Sequence, residues 1–172
     1  MATGTYRHEW DCGLASSKFN AVSAMSVIKG RPNDIFPFDI SGPSPSIVAG
    51  LNYDLMNTIG PRNLGQGPDP IKVSVAISNS FIFLTLAGHH RGAGQTITFK
   101  TFEKGGHLWL TQFGTFNSLD PRQYAYNTGA TYAWALQAHN LRVAIGTVGS
   151  SDLAMAEKAL DAIKSATYLK VF

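Results

Sequence analysis

The sequence predicts a single α+β domain, with a mainly antiparallel sheet of five or six strands covered by an N-terminal and a C-terminal helix. Two observations point there. Between Ile71 and Val148 apolar and polar residues alternate with period two: in Ile71–Ile77, again at Tyr132, Trp134 and Leu136, and again at Leu141, Val143 and Ile145. That rhythm belongs to strands with one face on a core. The connections within this stretch are short and rich in turn formers (Ser78-Asn79-Ser80, Lys104-Gly105-Gly106, Ala138-His139-Asn140), which favours hairpins. A chain of 172 residues can bury a core for one such domain without staples.

In chain order, residues 1–10 fit a short edge strand. Asp11 is suited to cap a helix from Cys12 to Lys29, with Leu14, Lys18, Val22 and Met25 along one side and Gly30 and Pro32 ending it. Residues 1–30 thus read as the N-terminal helix region. Residues 31–70 hold seven of the eight prolines. They have room for one short helix, capped by Ser44 and started by Pro45, with Ile47, Val48, Leu51, Leu55 and Ile59 spaced by threes and fours. Strands follow at 71–77, 81–87, 95–102, 107–116, 131–137 and 141–148, making 71–148 the sheet. Ser150 or Ser151 then caps a last helix over 150–168, with Leu153, Ala156, Leu160 and Ile163 facing inward.

Composition narrows the function classes. Charged residues make up 15% of the chain, against about a quarter in an ordinary globular domain. The sheet region carries Lys72, Arg91, Lys100, Lys104, Arg122 and Arg142 against Glu103 and Asp120. These cations are too dispersed for a strong nucleic-acid face, so an anion or nucleic-acid binder is the weakest reading. Cys12 is the one cysteine, which excludes an intrachain disulfide. Residues 1–20 lack an apolar signal core, so the expectation is a cytoplasmic protein or one exported without a visible signal peptide. The longest apolar run, Phe81–Ala87, is too short to span a bilayer.

Three groups of residues carry candidate chemistry. A cysteine at the first turn of a helix has its thiolate favoured by unpaired backbone N–H groups, and a nucleophilic thiol needs an imidazole base and a group to orient it. Cys12, His107 and Asp120 supply those types in that order. The segments WDCGLASS and KGGHLWLTQFGTFNSLDP resemble the nucleophile helix and the His-strand with Asp-Pro hairpin of papain-like bacterial effector proteases. The resemblance implies a cysteine hydrolase or deamidase with Cys12 as nucleophile, His107 as base and Asp120 as orienter. The loop Gly88–Gly94 brings His89, His90 and Arg91 to a hairpin tip. Adjacent histidines on a straight strand point to opposite faces and cannot share an ion unless the loop curls, so neither a metal nor a cofactor is expected. Aromatic residues are abundant on the sheet, and Trp109, Tyr132 and Trp134 join the loop residues as candidate binding groups for an apolar ligand or a partner. The leading reading is a non-enzymatic, self-associating module that binds a partner protein or an apolar small ligand.

Overall fold

The computed structural model describes residues 3–56, 68–120 and 123–147, apart from the side chains of 123–130 and 132. Among these residues it is an α+β fold built on one antiparallel sheet of seven strands: β1 (Thr3–Leu14), β2 (Asp39–Ser41), β3 (Asn52–Met56), β4 (Asp69–Ile77), β5 (Ser80–Thr85), β6 (Thr96–Lys104) and β7 (His107–Asn117). Helices α1 (Ala21–Gly30) and α2 (Pro32–Ile35) separate β1 from β2, and α3 (Gln123–Ile145) follows β7. The strand order is β1-β7-β6-β5-β4-β3-β2. The chain therefore crosses from one edge to the other through α1 and α2, meanders back, and returns as a helix packed on β1 and β7.

The strands expected from alternation over 71–116 are those observed. Gly105 and Gly106, both with positive φ, make the two-residue turn that joins β6 to β7. The edge strand expected within residues 1–10 is observed from Thr3, but it runs on to Leu14, so Cys12 lies on a strand and not at the start of a helix. Tyr6, His8 and Trp10 face one side, and β1 pairs with β7 from Thr3↔Asn117 to Leu14↔His107, which satisfies backbone groups that a helix would have had to satisfy locally. Asp11 does accept a local N–H, from Gly13 at 2.9 Å, but as a turn at a bulge where Gly13 takes φ +92°. The helix start is Asn20, whose side chain accepts from the Val22 and Ser23 N–H groups while the Ser23 hydroxyl accepts from Asn20 N–H.

Two further expectations are overturned. Of the helix placed at 45–59, the described part, 45–56, is instead a loop leading to β3, where buried Tyr53 and Leu55 alternate with exposed Asn52 and Asp54, and 57–59 lie outside the described residues. Ser44 accepts from Ser46 N–H in a tight turn, and Gly50 with φ +85° breaks any helix there. Residues 131–137 and 141–145 are not strands but one continuous helix, α3. Trp134, Ala138, Leu141 and Ile145 are buried at spacings of three and four, the helical stripe, and the alanine content of the segment favours that choice. The helix expected at 150–168 lies outside the described residues. Among those described, no helix is long and apolar enough to cross a membrane.

The core fills the inner face of the sheet beneath α1, α2 and α3. Its centre is a packed group of aromatic rings, in which Phe99 stands 4.8 Å from Phe81 and 5.2 Å from each of Phe36, Phe83 and Trp134. The outer face carries its own half-buried row: Trp109 stacks on Phe102 with Lys104 above its ring, and Arg7 lies over Phe113. Two faces account for an aromatic content that one covered face would not need.

Candidate functional site

The inner ends of β1 and β7, roofed by α3, form a layer where polar side chains enter an apolar core. Along β1 the alternation turns Tyr6, His8 and Trp10 inward as a ladder of rings, with centroids 5.7 and 5.9 Å apart. Opposite them β7 presents Gly114, Gln112 and Leu110. Gly114 is required: a Cβ there would stand 2.2 Å from Tyr6 Cζ, so the phenol ring occupies the space a side chain would need. The Arg91 guanidinium sits over the same ring, 5.7 Å from its centroid. Burial pushes the His8 imidazole below its ordinary value, so this ladder is uncharged at neutral pH.

A hydrogen-bonded chain crosses the layer. Trp10 Nε1–H donates to Gln112 Oε1 at 2.6 Å, and Gln112 Nε2–H donates to Gln137 Oε1 at 2.8 Å. An indole can only donate, so it fixes the orientation of both amides. Among the described residues the chain then stops: Gln137 Nε2 is buried and has no acceptor, and neither has Trp134 Nε1, one helical turn away on the same face of α3. The Tyr6 hydroxyl is also buried without a partner. Gln112 and Gln137 are both 0% exposed and Trp134 is 4% exposed. Leaving a buried donor unsatisfied costs about 1–3 kcal/mol, so this is an expensive arrangement for a purely structural core. Thr111 Oγ1 is likewise unpartnered but lies on the opposite face, between Glu9 and Lys100.

The position of α3 is set in its C-terminal part. Asn140 Nδ2–H donates to Ile35 O at 3.0 Å, tying the helix to α2. In its last turn Arg142 donates to Asp11 O at 2.8 Å and twice to Thr147 O, and just past the helix the Thr147 hydroxyl donates to Cys12 O at 2.7 Å. These contacts lock the helix onto the bulge of β1.

The structure does not bring Cys12, His107 and Asp120 together. Cys12 is fully buried on a strand, with its thiol 3.7 Å from Trp10 O, so the helix N-terminus that was to favour a thiolate is absent. His107 Nδ1 meets Asp11 Oδ1 at 2.9 Å instead of Cys12. Burial works to raise the Asp11 carboxyl, but the bonds from His107 and Gly13 N–H outweigh it and hold it below the usual carboxylate range. Asp120 lies in the turn beyond the far end of β7, about 30 Å along the strand from His107 at roughly 3.3 Å per residue. The hairpin that a papain-like site requires is replaced by an uninterrupted strand.

The loop after β5 is not an exposed tip. It curls back on itself: Thr85 Oγ1–H donates to Gly92 O at 2.6 Å, Gly94 N–H donates to Thr85 O, and Leu86 N–H donates to Pro70 O at the start of β4. His89 and Arg91 are buried, and the His89 and His90 rings stack 4.6 Å apart. Asp69, which no sequence pattern singles out, faces them: it accepts His90 N–H at 3.0 Å and stands 2.8 Å from His90 Nδ1. Burial, with the charges of His90 and Arg91 opposing the pull of Asp69, lowers the His89 imidazole to about 3. Of the remaining candidates, Trp134 belongs to the inner layer, Trp109 to the outer face, and the side chain of Tyr132 lies outside the described residues. The signal that sequence reading missed was Gln112 and Gln137, two amides at apolar positions of a strand and a helix.

No protein-family model matches the chain, and no curated protein sequence matches it. Solved structures match its fold. CalU16 from Micromonospora echinospora aligns with a TM-score of 0.54 at 13% identity, over 95% of this chain and 86% of that one. MLL2253 from Mesorhizobium loti gives 0.59 at 10% identity, over 85% and 99%. The protein encoded by gene BPP1335 from Bordetella parapertussis gives 0.58 at 11% identity, over 98% and 86%. At these identities the likeness is one of fold.

Proposed function

We propose that the protein is a non-enzymatic binding module that holds an uncharged, largely apolar small molecule between the inner face of the sheet and α3. The observation that carries this reading is the pair of buried, unsatisfied donors, Gln137 Nε2–H and Trp134 Nε1–H. Both are donors, so the guest they fit carries an acceptor, a carbonyl oxygen being the simplest. The surrounding rings of Tyr6, His8, Trp10, Phe38 and Phe99 supply apolar contact, and a few fixed polar groups in an aromatic lining are what small-molecule sites consist of.

The test compares a solvatochromic naphthyl ketone with its carbonyl-free analogue, using the blue shift of probe fluorescence on binding. The wild-type protein is expected to bind the ketone about tenfold more tightly, the worth of one buried hydrogen bond of about 1.4 kcal/mol. Gln137→Met, which keeps the side-chain length and removes the amide, is expected to reduce that preference towards unity while the analogue still binds. Equal affinity of the wild type for both compounds, or saturable binding of neither, overturns the reading.

A further inference from the structure

We infer that Asp69, His89 and His90 form a binding site for a transition-metal ion of the zinc or iron(II) class. One ligand atom from each residue lies within 4.8 Å of those of the other two. Asp69 is 2% and His89 6% exposed, so this is not a solvated surface cluster. The curl of the loop is what makes the set possible, because neighbouring histidines on a straight strand would diverge. Here the hydrogen bond from Leu86 N–H to Pro70 O clamps the loop against the start of β4, and the two imidazoles stack on the side where Asp69 sits.

The spacing suits shared coordination. Two ligand atoms each about 2.0–2.1 Å from one ion stand about 3 Å apart when they subtend a right angle, and His90 Nδ1 is 2.8 Å from Asp69 Oδ2. The other carboxylate oxygen accepts His90 N–H at 3.0 Å, a bond that fixes the plane of the carboxylate as outer-shell contacts do at metal sites. His89 Nδ1 accepts the Arg91 backbone N–H at 3.1 Å, and an ion taking that nitrogen displaces this one bond. Two imidazoles and one carboxylate, without a thiolate, suit zinc, iron(II), cobalt or nickel; magnesium and calcium prefer oxygen alone. Three protein ligands leave positions open for water or a bound anion.

The experiment uses the full chain stripped with EDTA, titrated calorimetrically with Zn²⁺ and followed by visible absorption with Co²⁺. One ion per chain is expected, with the d–d bands of a cobalt site bearing nitrogen ligands. His90→Ala, at a partly exposed position, and Asp69→Asn are each expected to weaken binding by more than about tenfold, with circular dichroism reporting that each variant is folded. His107→Ala, at the separate contact with Asp11, is expected to leave affinity unchanged. The inference is overturned if the wild type binds neither ion stoichiometrically, or if folded His90→Ala binds as tightly as the wild type.

Discussion

Phe99→Ala is expected to lower the free energy of unfolding by about 3–5 kcal/mol, the range for deleting a buried phenyl ring. Phe99 is fully buried on β6, an interior strand of the sheet, and four other rings close on it. They come from α2's C-terminal end (Phe36), from β5 (Phe81, Phe83) and from α3 (Trp134), so the cavity cannot collapse without moving elements fixed elsewhere. Domains of this size are stable by about 5–15 kcal/mol in total, so the variant is left with a small margin. Urea denaturation with an unchanged slope and a lowered midpoint is the expected result. Trp109→Ala is the contrast: a larger ring, but half-buried on the outer face against Phe102, and it should cost less. A loss below about 1 kcal/mol at Phe99 would mean that the aromatic cluster is not the centre of the core.

The second large effect is on acid stability. In metal-free protein His89 stays neutral down to about 3, whereas in the unfolded chain it titrates near 6.5. Between those values the unfolded state binds a proton that the folded state refuses, so stability falls as pH drops through that window, by up to about 1.4 kcal/mol per pH unit. The carboxylates act lower. The ordinary tendency of burial to raise Asp69 is outweighed by the hydrogen bonds from His90, so its carboxyl is held below 3.8. That stabilisation is present above the unfolded value and is lost as pH falls below about 4. Chemical denaturation at a series of pH values should therefore show a slope beginning near pH 6.5 and well before carboxylates protonate. His89→Gln should flatten the upper part of the slope. Stability that is level from pH 7 to pH 4.5 in the wild type would contradict the buried neutral imidazole.

Much of the sheet was legible because β4 is joined to β5, and β6 to β7, by two-residue turns, so local alternation and turn chemistry determine both strand and partner. β1 was legible only as a short edge strand at residues 1–10; its partner β7 is about a hundred residues away, and the continuation to Leu14 is justified only by that pairing. Asp11 offered a plausible local cap, and it outweighed the weaker signal of Asn20 and Ser23, where the helix begins. At α3, Tyr132, Trp134 and Leu136 satisfy period two over too short a span to exclude the helical spacing of Trp134, Ala138, Leu141 and Ile145. The error carried into the site. With 131–148 read as strands, Gln137 had no reason to meet Gln112, and with Cys12 on a helix the thiol was given an electrostatic setting that it lacks. Asp69 sat in a proline-rich stretch that reads as turn, and its burial depends on the loop after β5 folding back on β4.

If α3 offers two unsatisfied donors to a guest, the ¹H–¹⁵N spectrum of the side-chain indole and amide groups will register the guest's arrival. On saturation with the naphthyl ketone, the Trp134 Nε1–H and Gln137 Nε2–H resonances should move downfield. The Trp10 Nε1–H, already bonded to Gln112, should move little, and the carbonyl-free analogue should leave the first two near their starting positions. A ketone that binds while both the Trp134 and the Gln137 resonances stay where they were would show that these donors do not hold the guest.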